Sequence, residues 1–434
     1  MNLCMIGTGY VGLVSGTCFS DLGNKVICVD IDQNKINELN SGKIPIYEPG
    51  LQELVKKNFN QNKLSFSTDI SSAIKKSDII FICVGTPTKK KTNTADLKYI
   101  YHAANIIAKN INKYKIIVNK STVPVTTGDK IEKIIKNKNK RKNFEVVSNP
   151  EFLREGEAIR DFIYPDRVVI GTNNKKANKI MKSLYLPIIK KEARYYNTSR
   201  RGAEMIKYAS NAFLATKITY INELANLCEK ASVDIKDVAN GMGLDQRIGE
   251  RFLRAGPAYG GSCFPKDTKA LINTANKFKI NLSIVKSVVK SNENRKNLLL
   301  KRVYKIIGKN LKNKKITFLG VTFKPNTDDM RESPSLDIVP ALQAAGASVR
   351  AFDPEGMEEA KKWLEDVFWC EDTYDAIDGS DAVVIVTEWN EFRSPDFGKM
   401  KRLMRTPAIF DGRNIYDPNQ MKELGFTYRC IGRV

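Results

Sequence analysis

The hexapeptide Gly7-Thr8-Gly9-Tyr10-Val11-Gly12 follows directly on an apolar run at residues 2–6 and opens a segment with helical spacing. Glycines so placed let a chain turn sharply from strand to helix. They also let a pyrophosphate approach the helix N-terminus, where unpaired N–H groups point at it. Asp30 closes the next apolar run, 18 residues after Gly12. A carboxylate there accepts both hydroxyls of an adenosine ribose and repels a 2′-phosphate. The combination predicts a strand-helix-strand dinucleotide site that prefers NAD to NADP.

The rest of the chain extends this start. Apolar runs at 2–6, 25–30, 79–84, 115–120 and 145–148 alternate with helical patterns, which predicts a parallel sheet covered on both faces. Residues 201–230 form one long helical pattern without proline, and without glycine after Gly202; helical patterns continue at 235–241, 266–278 and 283–309. Strand-like runs return at 315–320, 348–352, 382–387 and 408–411. The expected fold is α/β: two Rossmann-like, doubly wound parallel-sheet domains, residues 1–200 and 311–434, joined by a central long helix and helical segment at 201–310. The segments from Gly23 to Asp30 and from Gly346 to Asp353 run alike from a helix-ending glycine through a strand to an aspartate. Each reads as the second strand of a nucleotide-binding half.

Composition narrows the function classes. A chain of 434 residues, 42% hydrophobic, can bury at least two cores. Its apolar first twenty residues lack a basic leader and are broken by Gly7, Gly9, Gly12 and Gly16, so neither a signal peptide nor a membrane span is expected, and a cytoplasmic location is. The eight cysteines show no CxxC pair and no clustering with the single histidine, His102, which argues for reduced thiols and against a metal site. The net charge of +23 sits in runs such as Lys136-Asn137-Lys138-Asn139-Lys140-Arg141, without interleaved aromatics. That pattern fits solvated surfaces that attract small anions better than a nucleic-acid site. From Met330 onward the balance reverses, to 13 Lys+Arg against 19 Asp+Glu, and all three tryptophans fall there.

Within Gly260-Gly261-Ser262-Cys263-Phe264-Pro265-Lys266-Asp267 a cysteine precedes a carboxylate by four residues, and Pro265 and the pattern that follows predict a helix starting at this point. A cysteine at a helix N-terminus is favoured as thiolate. A small buried cysteine beside a capped helix is the plainer alternative. Three further segments, 84–88, 121–124 and 149–155, lie just past strand ends, where an open parallel sheet binds ligands. Glu204, Lys207 and Asn211 share one face of the long helix among apolar neighbours, and a lysine and an amide held at a cleft can stabilise an oxyanion.

With GTGYVG, the GTPT and STVP loops, NPEFLREG, EMIKYASNAF, GGSCFPKD and FKPNTDDMRESP in this order, the chain resembles the UDP-glucose 6-dehydrogenases, within the nucleotide-sugar dehydrogenase family, almost from end to end. The resemblance implies oxidation of a sugar C6 alcohol through aldehyde to carboxylate with two NAD+, Cys263 holding the aldehyde as thiohemiacetal and then thioester. It implies that Lys207 and Asn211 steady the oxyanion, that Asp267 and Thr122 order or deprotonate water, and that Glu151 serves as acid or base. By the same resemblance Gly7, Gly9, Tyr10, Val11, Gly12, Asp30, Lys35, Thr86, Thr122, Glu155 and Arg331 meet NAD. Phe152, Leu153 and Arg154 through their backbone, with Lys207, Asn211, Arg254, Tyr259, Gly260, Lys324 and Arg413, hold the UDP-sugar, and Arg247 reaches in from a second subunit. Residues 1–200 become the NAD-binding domain, 201–310 the dimerisation domain of a homodimer, and 311–434 the UDP-sugar-binding domain. One departure is Ala258, where the family usually has glycine; a left-handed backbone there would be strained. Phe264 and the EFLREG string favour UDP-glucose over GDP-mannose, whose 6-dehydrogenases remain the alternative, beside a non-catalytic NAD-binding protein of the same fold.

Overall fold

Strands buried on both faces of a parallel sheet need side chains that are apolar in both directions, and the sequence supplies them. In the computed structural model, which describes residues 1–89, 92–139 and 143–433, the first eight strands are β1 (Asn2–Ile6), β2 (Lys25–Val29), β3 (Leu64–Ser67), β4 (Ile79–Ile82), β5 (Lys115–Asn119), β6 (Phe144–Ser148), β7 (Arg167–Gly171) and β8 (Arg194–Thr198). They form one sheet in the order β3-β2-β1-β4-β5-β6-β7-β8. All neighbours pair in parallel except β6 and β7, which meet antiparallel at Ser148 and Gly171. Alternation divides the core in two. Leu3, Met5 and Phe81 pack on one face with the helix Tyr10–Asp21, and Cys4, Ile6, Ile80 and Ile82 on the other with the helices Lys98–Asn110 and Thr127–Lys138.

Six more strands, β9 (Lys315–Leu319), β10 (Ser348–Phe352), β11 (Val367–Trp369), β12 (Ala382–Ile385), β13 (Ala408–Asp411) and β14 (Thr427–Cys430), make a wholly parallel sheet in the order β11-β10-β9-β12-β13-β14. Counted within its own unit, this is the same order as the first six strands of the larger sheet, and it is the Rossmann order. The fold is α/β, as expected, with two Rossmann-like sheets. Between them in the sequence lie the helices Arg200–Ala231, Ile235–Gly243, Phe264–Lys277 and Ser283–Ile307.

The chain divides into two units. One comprises Met1–Ser210 with Asn273–Lys279, the other Asn211–Ile272 with Ile280–Val434. Strands β3, β7, β8, β11 and β14 were not anticipated. Four of these are edge strands, paired on one side only: β3, β8 and β14 mix polar residues into their sequences, and β11 is apolar but only three residues long. Lys140 and Arg141 of the basic run lie outside the described residues. No helix among those described is long and apolar enough to cross a membrane.

Candidate active site

In the first unit the coenzyme loop is built as its glycines require. Gly7 stands at φ +99°, its N–H donating to the Val29 carbonyl at 2.8 Å. A Cβ on Gly12 would meet the Gly7 carbonyl oxygen at 1.9 Å, whereas one on Gly9 would meet nothing within 4 Å. Gly12 thus closes the turn, and the space over Gly9 is open for a phosphate. Tyr10 and Val11 begin the helix. Asp30 lies one residue past β2; its Oδ2 accepts the Thr8 N–H and hydroxyl, both at 2.8 Å, its Oδ1 accepts the Asp32 N–H at 3.2 Å, and Lys35 Nζ stands 3.8 Å away. Burial acts to raise the Asp30 pKa, but these donors and Lys35 outweigh it and hold the carboxyl below its ordinary value. An ionised carboxylate at the end of β2 beside an open glycine turn fits the adenosine half of NAD.

Past β4, β5 and β6 the remaining predicted loops of this unit are tied to one another. The Thr86 hydroxyl donates to the Thr122 carbonyl at 3.0 Å. Glu151, 6% exposed, faces Lys207 Nζ at 3.0 Å, and Lys207 is 4% exposed, so this lysine is buried rather than solvated. The Lys207 amine also lies 5.3 Å from the centre of the Phe152 ring. Burial pushes the Glu151 pKa up, yet Lys207, the Leu153 N–H at 2.7 Å and Lys120 pull it below the usual carboxylate range. The Arg154 N–H and guanidinium both engage Asp161, at 2.9 Å and 2.6 Å. The N–H groups of Leu153 and Arg154 are thus both engaged within the chain, by Glu151 and Asp161. Glu155 and Glu48 both raise the Tyr10 pKa, after burial itself.

In the second unit Cys263 immediately precedes the helix Phe264–Lys277, half-buried, its Sγ 3.4 Å from the Ser262 hydroxyl. Asp267, wholly buried, gives its N–H to the Cys263 carbonyl at 2.8 Å, closing the first helical turn. Its carboxylate accepts from Asn211 Nδ2 and Lys266 Nζ, both at 2.6 Å. The structure therefore brings together Asn211, Asp267 and the cysteine helix. Gly260 and Gly261 pack against the loop after β9: a Cβ on Gly260 would meet the Glu332 carbonyl at 2.5 Å, and one on Gly261 the Phe323 ring at 2.6 Å. Arg413 donates to the carbonyls of Val386 and Phe323 and pairs with Glu388, close to Gly256. Lys324 lies over the Phe323 ring, and Arg331 forks onto Asp329 at 2.7 and 2.8 Å.

Two predicted residues stand apart. Arg254 is exposed, and the Arg247 side chain is 89% exposed and paired only locally, with Asp245. The strain expected at Ala258 is absent: the left-handed residues of this stretch are Phe252 and Gly261, so the turn needs its freedom elsewhere. Sequence reading also passed over the residues that grip the loop. Asn292 holds both the N–H and carbonyl of Tyr259 at 2.9 and 3.1 Å, Asn222 accepts the Gly256 N–H at 2.8 Å, and buried Arg295 donates to the carbonyls of Gly256 and Asn222. Glu48 was missed likewise; it accepts from the N–H groups of Gly156 and Ala158, each at 2.7 Å, and from the Tyr10 hydroxyl. Their only sequence signal is polarity inside otherwise apolar helix faces, or beside a Pro-Gly turn.

Fold and coenzyme loop together define an NAD-dependent dehydrogenase. Comparison with known proteins narrows the class. The UDP-glucose/GDP-mannose dehydrogenase family matches in three parts: its NAD binding domain over residues 1–189, its central domain over 201–294 and its UDP binding domain over 317–418. The chain belongs to this family. It is similar to the UDP-glucose 6-dehydrogenase of Rhizobium meliloti, at 51% identity covering 100% of both chains, and to TuaD, the UDP-glucose 6-dehydrogenase of Bacillus subtilis, at 48% identity covering 100% of this chain and 93% of that one. Among solved structures it resembles a UDP-glucose dehydrogenase from Pyrobaculum islandicum, with TM-score 0.91, 34% identity, and 100% and 98% of the two chains covered.

Proposed function

We propose that the protein oxidises the C6 alcohol of UDP-glucose to the carboxylate of UDP-glucuronate, with Cys263 holding the intermediates. The observation that carries this reading is the placement of Cys263 directly before a helix whose first turn buries Asp267 against Asn211. Likeness to relatives named UDP-glucose 6-dehydrogenase supports the choice of sugar nucleotide.

NAD+, when bound, accepts a hydride, and two molecules are consumed in turn. The first hydride loss turns the alcohol into an aldehyde, with its hydroxyl proton passing to solvent or a neighbouring base. The Cys263 sulfur then adds to the aldehyde carbon, giving a thiohemiacetal that cannot diffuse away. Loss of the second hydride and the hydroxyl proton leaves a thioester, and water releases the acid and returns the thiol. Lys207 and Asn211, one helical turn apart, steady the oxyanion at the stages where one develops. Asp267, with Thr122, orders the hydrolytic water. Glu151, kept ionised by Lys207, acts as base rather than acid. Gly7, Gly9, Tyr10, Val11, Gly12, Asp30, Lys35, Thr86, Thr122, Glu155 and Arg331 serve the coenzyme. Phe152 to Arg154, Arg254, Tyr259, Gly260, Lys324 and Arg413 serve the UDP-sugar.

We read residues 1–200 as the NAD-binding domain, 201–310 as the dimerisation domain and 311–434 as the UDP-sugar domain. Exposed Phe213, Tyr220 and Leu227 recur every seven residues on the long helix, an apolar stripe suited to a second copy, and exposed Arg247 is available to that copy's site. Eight free cysteines suit a cytoplasmic enzyme. The test counts NADH formed per sugar nucleotide consumed. Two per UDP-glucose and none with GDP-mannose supports the reading; one per UDP-glucose refutes the four-electron route, and turnover of GDP-mannose instead refutes the substrate.

A further inference from the structure

We infer that Glu204 is a positioning residue whose carboxylate, carried on the helix that bears Lys207, clamps the start of the helix Thr127–Lys138 and thereby sets the place of Thr122. The inference rests on the role proposed above for Thr122 beside coenzyme and water.

The helix Thr127–Lys138 starts without a cap of its own. Thr126 occupies the capping position, but its side chain makes no capping hydrogen bond and its backbone stands at φ +82°. That left-handed conformation is unusual for a β-branched residue and persists only when its surroundings impose it. Glu204 imposes it here. Its Oε2 accepts the Thr126 N–H at 2.8 Å, its Oε1 accepts the Gly128 N–H at 2.7 Å, and the Ser148 hydroxyl adds a third bond at 3.3 Å. The capping normally done by a Ser or Asp at the helix start is done by a carboxylate from another helix. Gly128 makes the approach possible, since a Cβ there would stand 3.0 Å from Oε1 and 3.1 Å from the Ser148 hydroxyl.

The other end of the segment is fastened too. The Ser121 hydroxyl donates to the Val84 carbonyl at 2.8 Å, and Asn119 Nδ2 donates to the Ser121 carbonyl at 3.1 Å. Thr122 lies between these fastenings and the Glu204 clamp, its carbonyl held by Thr86. Loosening the clamp therefore frees the segment on the side of Thr122 facing the helix. Burial raises the Glu204 pKa to about 7, helped by Asp129, against the pull of the Gly128 and Thr126 N–H groups. Asp129 is itself paired with Arg200 at 3.0 Å, and Tyr101 also senses Glu204.

The experiment compares full-length wild type with Glu204→Gln and Glu204→Ala. Glutamine keeps the shape but presents one acceptor oxygen, so one of the two amides loses its partner. Expected are faster hydrogen exchange at the amides of residues 126–128 with β5 and β6 unchanged, NAD+ binding weakened about tenfold, UDP binding unchanged, and the alanine variant worse than the glutamine one. Faster exchange spread over the whole first unit, or local loosening with NAD+ affinity unaltered, overturns the inference. These readouts need no turnover. If wild type yields no NADH from UDP-glucose, the functional reading falls, while local exchange and NAD+ affinity still decide on the clamp.

Discussion

Replacing Lys207 by methionine tests the electrostatics of the first unit most sharply. The variant keeps much of the volume and the contact with Phe152, but leaves Glu151 Oε1 without its partner at 3.0 Å, in a site where the carboxylate is 6% exposed. Stripping one member from a buried ion pair costs about 3–5 kcal/mol. That cost should appear only where Glu151 is forced to stay ionised. In the wild type the Glu151 pKa lies below its ordinary 4.5, so its contribution to stability is present above 4.5 and is lost as pH falls through the lower folded value. In the variant burial dominates and the pKa rises, so the folded state binds a proton more tightly than the unfolded chain and loses stability as pH rises. The penalty should be small near pH 4.5 and full at pH 8. All three tryptophans lie in the second unit, so their fluorescence does not follow the relevant transition. Amide exchange of β5 and β6 at several pH values does. A penalty independent of pH, or smaller than about 1 kcal/mol at pH 8, would refute the argument. Turnover should drop by roughly 10²–10³, the usual cost of losing one oxyanion donor.

Cys263→Ser should abolish turnover and retain UDP-sugar binding, because a hydroxyl without a base is a poor capture group; normal uronate formation by that variant sinks the covalent route. Asp30→Ala should weaken NAD+ binding by about tenfold or more, since the ribose acceptor and the acceptor of the Thr8 N–H go together, with UDP affinity unaltered. Equal loss of both affinities contradicts the coenzyme assignment. Asp267→Asn should slow release of the acid more than either hydride step, so a uronyl adduct on the cysteine accumulates and shows in the intact mass. Full-speed turnover without an adduct removes Asp267 from the hydrolytic role.

What the sequence made legible followed from local rules. Glycine spacing, the aspartate after β2 and apolar runs between helices identify the coenzyme unit because each depends on residues close in the chain. Pro265 and the glycine pair placed Cys263 at a helix start for the same reason, and the helix begins at Phe264. The clamps were hidden because they join distant segments through single polar side chains. Glu48 reaches Gly156, Glu204 reaches Thr126, and Asn292 reaches Tyr259; polarity among apolar neighbours can mark such a residue in the sequence, but nothing there names its partner. Lys207 shows the same limit. Its apolar neighbourhood hinted at burial, but its partner Glu151 lies 56 residues earlier in the chain.

The paired aspartates show how one topology serves two ends. Asp30 follows β2 and Asp353 follows β10, the second strand of each sheet in the shared order. Each accepts a threonine hydroxyl and N–H from the loop after the first strand: Thr8 for Asp30, Thr322 for Asp353. There the likeness stops. Asp353 is wholly buried, its Oδ2 also taking the Val321 N–H at 2.8 Å and the Trp389 indole N–H at 3.1 Å, while its Oδ1 takes the N–H groups of Gly356 and Glu355. A ribose has no access to a carboxylate so enclosed. Gly320, in the place of Gly7, has no glycine partners after it, since Val321, Thr322 and Phe323 follow. The second sheet therefore has the strand order of a dinucleotide site without its glycine turn, and its aspartate is taken up within the chain; on the function proposed above, Lys324 and Arg413, on its neighbouring loops, are the cations assigned to the nucleotide's phosphates.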